Sequence, residues 1–187
     1  MKRTAALLLS LILCAGLLAA CGGSSTEKTA DSDVTAAPTQ AQEIFDTGVI
    51  STVIPAGWTA FQPKDVFSDN DELDPNVITI CKDYVSEFDA YTKPYIRINY
   101  SGPDTTMIAP SKDMYDDVVD MADQTIGGYT WQGFSCSSIG YKYVILWTGE
   151  ADGDQIQVSV LYESTAASVS FDDPDVQAII AGIKVTA

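Results

Sequence analysis

Histidine is absent from this 187-residue chain. Its absence excludes Ser-His-Asp and Cys-His catalysis, imidazole metal ligands and the usual proton shuttle near neutral pH. Basic residues are scarce, with 10 Lys and Arg against 26 Asp and Glu and a net charge of −16. Nucleic-acid binding needs Lys and Arg at the phosphates, so that class is excluded as well. The 4 cysteines include no C-x-x-C pair, which removes thioredoxin-type redox chemistry. No internal repeat is present. What remains is 46% hydrophobic and 10% aromatic, too apolar for a wholly disordered chain. The length fits one domain plus tails.

The first residues read as an address. Met1-Lys2-Arg3 is a positive n-region, and Ala5 to Leu18 is an apolar run broken by Ser10. A spanning helix needs roughly 20 apolar residues, so this shorter run fits the h-region of a secretory signal. It ends in Leu18-Ala19-Ala20-Cys21-Gly22. That ending resembles the lipobox of bacterial lipoproteins, which implies cleavage before Cys21 and lipidation of its thiol. An ordinary signal followed by an incidental cysteine is the alternative. The expected organisation is a signal peptide over 1–20, lipidated Cys21 with a disordered linker to 43, and one α+β domain over 44–187. The linker is Gly, Ser, Thr, Ala and charge, and cannot bury enough apolar surface to order itself. The expected location is the extracytoplasmic face of a bacterial membrane, held by the lipid anchor.

Periodicity predicts strands at Val49–Ile54, Trp58–Phe61, Val77–Cys81, Tyr95–Tyr100, Tyr129–Ser137, Lys142–Thr148 and Gln155–Tyr162. Asp152-Gly153 marks a hairpin turn before the last of them. A helix is expected over Ser111–Thr125, with Met114, Val118 and Met121 as its inner stripe and Gly127-Gly128 as its stop. A second helix starts with Asp173 as N-cap and Pro174 at its first position, and stops at Gly182. The expected fold is α+β: an antiparallel sheet covered by two main helices.

Three stretches together carry a family pattern. They are Val53-Ile54-Pro55-Ala56-Gly57-Trp58, the strands around Asp152-Gly153, and the segment from Asp172 to Val185. In this pattern the chain resembles bacterial lipoproteins of the PsbP/Mog1-like type. The resemblance implies an α/β/α sandwich and an accessory or assembly role, and it carries no catalytic motif.

Asp113, Asp116, Asp120 and Asp123 recur at three- to four-residue steps, which on a helix forms an acidic face for a cation or basic partner. A solvated face is the plainer reading. Asp69-Asn70-Asp71-Glu72-Leu73-Asp74 is dense in hard oxygen ligands and could hold Ca²⁺, although its spacing is not that of an EF-hand. Cys81 and Cys136 could form a disulfide after export, or stay as two buried thiols. Tyr84, Phe88, Tyr91 and Tyr95 could line a sugar- or peptide-binding groove, or pack in the core. The expected function is a non-enzymatic binding or assembly module without a cofactor. A carboxylate-based extracellular hydrolase is the alternative, and a calcium-dependent adhesion module stands third.

Overall fold

The computed structural model describes residues 42–102, 109–149 and 155–186. The leader, Cys21, the linker up to residue 41 and the Asp152-Gly153 turn lie outside them. β-Branched and aromatic runs form most of the strands where periodicity places them. In chain order these are β1 (Glu43–Asp46), β2 (Ile50–Ile54), β3 (Trp58–Phe61), β4 (Val77–Lys82), β5 (Tyr95–Ser101), β6 (Asp116–Ile126), β7 (Tyr129–Ser138), β8 (Tyr141–Thr148), β9 (Gln155–Glu163) and β10 (Lys184–Val185). A one-turn helix, α1 (Asp89–Thr92), and a longer one, α2 (Pro174–Ala181), accompany them.

Two antiparallel sheets result. The larger has the order β3-β4-β5-β9-β8-β7-β6, and the smaller β1-β2-β10. Alternation gives the large sheet one strongly apolar face. Ile78, Ile80, Ile96, Ile98, Val158, Val160, Leu146 and Trp131 on that face are buried against Ile50 and Ile54 of β2 and Val176, Ile179 and Ile180 of α2. Each such side chain contributes about 1.5–3 kcal/mol when fully buried. The ends of α2 behave as the sequence predicts. Asp173 Oδ1 accepts the Asp175 N–H at 2.9 Å, Pro174 starts the helix and Gly182 follows its last turn. Thr52 Oγ1 donates to the Ile179 carbonyl at 2.6 Å, tying α2 to β2 inside the core.

The expected α+β fold is overturned. Strand accounts for 51% and helix for 11% of the structure. One helix and a second sheet cover the large sheet, in place of two helices and in place of the implied α/β/α sandwich. The main cause is Ser111–Thr125. Only Lys112–Met114 makes a 3-10 turn, and the rest enters β6, the 11-residue edge strand. Two bulges explain the helical look of this segment. Asp116 and Val119 oppose Ser137 and Ser135, and Met121 and Gln124 oppose Gly133 and Trp131. Three residues on β6 thus span two on β7, twice. Partial burial recurs at Val118, Met121 and Gln124, a step of three that mimics a helix. The expected single stripe is split. Val118 packs beside Phe134 and Cys136 on one face, Met121 joins the main core on the other, and Met114 is 76% exposed. Gly127 and Gly128 end no helix. At φ of 65° and 91° they form the two-residue turn of the β6–β7 hairpin, a backbone that glycine adopts without strain.

Candidate functional site

The second face of the large sheet carries the chemistry. Register assigns its rows directly. Cys81, Tyr95, Leu161, Tyr143 and Cys136 stand opposite one another across β4, β5, β9, β8 and β7. The next row runs Phe61, Thr79, Arg97, Ser159, Ile145 and Phe134. The third holds Val77, Asn99, Gln157, Trp147 and Gln132. Near β6 this face closes over a small core of Phe134, Cys136 and Ile145. Tyr115 lies over Phe134 at 5.7 Å between ring centroids, and Lys112 Nζ sits 5.8 Å from the same ring.

Near β3 the face is different. The β4–β5 connection folds back over it and carries α1. Asp89 holds that turn, its Oδ2 accepting the N–H groups of Val85 at 2.7 Å and Ser86 at 2.9 Å. These backbone bonds, with Lys93 as ion partner at 3.2 Å, pull the Asp89 pKa below its ordinary value. Ala90 and Tyr91 of α1 then approach Phe61 and Pro63, and two adjoining chambers form between them. One, of about 250 Å³, is lined by Phe61, Thr79, Tyr91, Tyr95 and Arg97. Its neighbour, of about 420 Å³, shares Phe61, Pro63, Ala90 and Tyr91 and adds Lys64, Tyr84 and Glu87. The Phe61 and Tyr84 rings lie 5.2 Å apart.

Electrostatics single out Arg97. It is exposed on β5, and its Nε donates to Asn99 Oδ1 at 3.3 Å. Among the described residues Arg97, Lys82 and Lys184 have no carboxylate within 4 Å, whereas Lys64, Lys93, Lys112 and Lys142 each hold one, and of those three Arg97 is the one that lines the cleft. Tyr95 beside it has its pKa raised by burial, an effect that Arg97 opposes. Tyr95 is therefore a neutral hydroxyl at physiological pH. Of the aromatics predicted to line a groove, Tyr84, Tyr91 and Tyr95 do line this one. Phe88 is 80% exposed and not among the lining residues. Sequence reasoning missed Phe61 and Arg97, although their strand register with Thr79 is what places them together.

A larger groove, of about 780 Å³, runs along Met121, Ser135, Tyr162, Glu163, Phe171 and Asp173. Its two carboxylates are already engaged, Asp173 as the α2 cap and Glu163 with Lys142 at 2.9 Å. It therefore offers less chemistry than the smaller cleft.

The other predicted residues are placed as follows. Cys81 and Cys136 are free, buried thiols. Four strand spacings separate them, about 19 Å, far beyond the span of a disulfide. The disulfide alternative is thereby corrected. Burial pushes both thiols up to about 11. The acidic helix face is corrected too. Asp113 sits in the 3-10 turn, and Asp116, Asp120 and Asp123 are exposed along the edge strand β6. Asp120 pairs with Lys112, and Asp117 Oδ2 accepts the Ser137 hydroxyl at 2.7 Å. In the acidic loop Asp71 pairs with Lys64 at 2.7 Å, Glu72 accepts from Ser68, and Asp74 Oδ1 accepts the Asn76 N–H. Among the described residues no three Asp, Glu or Cys side chains converge on a metal position, and no helix is long and apolar enough to cross a membrane. A scan against protein-family models and a search of curated proteins found no match to the chain.

Proposed function

We propose that the chain is a lipid-anchored, extracytoplasmic binding module whose ligand occupies the Phe61–Tyr91–Tyr95 cleft. The anchoring part rests on the order of positive residues, apolar run, small residues and Cys21. The binding part rests on one observation: four aromatic side chains and an exposed arginine line a two-chambered cleft. Pockets that combine apolar walls with a few convergent polar groups are the usual form of small-ligand sites. Catalysis is not part of the proposal: among the described residues Glu87 is the one carboxylate in the lining, whereas the usual glycosidase mechanism uses a pair.

The test is recovery of the full chain from the membrane fraction of a bacterial host, beside an Ala90→Trp variant that plugs both chambers. Native mass spectrometry should find a small molecule on the wild type and none on the variant. Equal loading of both would place the ligand elsewhere. Turnover in ester, peptide or glycoside panels that disappears with one Asp or Glu substitution would replace the binding reading with the hydrolase one. Cys21→Ser should release the protein from the membrane fraction.

A further inference from the structure

We propose that this cleft selects a small ring-bearing carboxylate, with its ring between Phe61, Tyr91 and Tyr95 and its carboxylate on the Arg97 guanidinium. The proposal rests on the binding reading above and names the ligand class of that same site.

Size comes first. A cavity of about 150 Å³ holds a benzene ring, so the chamber of about 250 Å³ beside Arg97 has room for a ring and one small substituent. The walls supply ring partners on more than one side: Phe61 from β3, Tyr91 from α1 and Tyr95 from β5. Charge comes second. Arg97 is the only arginine outside the leader, in a 44–187 segment with 7 basic and 22 acidic residues. Its Nε is oriented by Asn99, and its two terminal nitrogens have no partner among the described residues. A guanidinium fork of this kind matches a carboxylate geometrically, and such charge-assisted bonds are about twice as strong as neutral ones. A cation entering the same chamber would meet a like charge. The acidic body disfavours anions only at long range, since salt screens charge beyond about 8 Å at physiological ionic strength. The Arg97 contact is made at hydrogen-bond distance, inside the screening length, and is weakened less than the long-range repulsion.

The experiment is a titration of the full chain with phenylacetate, phenylacetamide and phenethylammonium, repeated on Arg97→Gln, Arg97→Lys and Tyr91→Ala. Phenylacetate should bind, and the neutral and cationic probes should bind at least about tenfold more weakly. Arg97→Gln should cost phenylacetate about 10- to 100-fold and cost the amide, whose carbonyl is an uncharged acceptor, less than about tenfold. Arg97→Lys should recover part of the loss. Tyr91→Ala should weaken all binding. Thermal melts matching wild type establish that the variants are folded, as expected for two exposed side chains. If the amide or the ammonium binds as well as the acid and Tyr91→Ala abolishes it, the carboxylate assignment falls and the cleft reading stands. If phenylacetate does not bind, or binds independently of Arg97, the assignment is overturned. The wider reading is then judged on the co-purified material alone.

Discussion

Replacing Gly127 by alanine tests the hairpin that displaced the expected helix. A Cβ at Gly127 would lie 2.5 Å from the Ala181 carbonyl oxygen and 2.7 Å from its Cα, at the end of α2. Both contacts are with backbone, so the turn or the helix must move. The residue also sits at φ of 65°, which costs an L-residue about 1–2 kcal/mol. Overpacking adds about 1–3 kcal/mol, and about 3 kcal/mol is expected in all. For a domain of this size that is about 6–12 °C in Tm. Gly128 provides the internal control, since φ is 91° but no atom lies within 4 Å of its added Cβ. Gly128→Ala should therefore lose only the backbone term, about 1–2 kcal/mol. Urea and thermal melts by circular dichroism measure both. If the two variants melt together, the β6–β7 turn does not pack against α2 and the reasoning fails.

Three further outcomes follow from the same packing. Cys81 and Cys136, with pKa values near 11 and full burial, should resist alkylation in the native protein at pH 8 and react on unfolding; peptide mapping of fast modification at either would contradict this. Asp116→Asn, Asp120→Asn and Asp123→Asn together should leave the melt cooperative but increase self-association in sedimentation runs, because exposed charge guards the edge strand β6; an unchanged monomer would argue against that role. The folded pKa of Asp89 lies below its ordinary 3.8, so its contribution is present above that value and is lost as pH falls through the folded pKa. The amide shifts of Val85 and Ser86 should therefore titrate together with a midpoint below 3.8, and a midpoint above it would contradict the two backbone bonds.

Legibility varied with the signal each segment carries. β4, β5, β8 and β9 have β-branched runs and bury their apolar residues as expected. The Asp173-Pro174 start of α2 was equally readable, because capping chemistry is local. β6 was not, since its two bulges replace the strand period of two with steps of three. The usable signal was Gly127-Gly128 between two strand-length runs, a hairpin pattern read as a helix stop. The site was half legible. Tyr84, Tyr91 and Tyr95 stood out as a cluster in sequence, whereas Phe61 and Arg97 lie 36 residues apart and meet only through the pairing of both β3 and β5 with β4. The acidic residues attracted attention as a charge pattern, but their meaning depended on a helix that does not form.

The most direct test of the central claim is residue-resolved. In a ¹H–¹⁵N titration of the full chain with phenylacetate, the amides of Thr79, Tyr91, Tyr95 and Arg97 should shift together and saturate on one binding curve. Shifts confined to Met121, Ser135 and Phe171 along the larger groove, or no saturable shift at Arg97, would contradict the account.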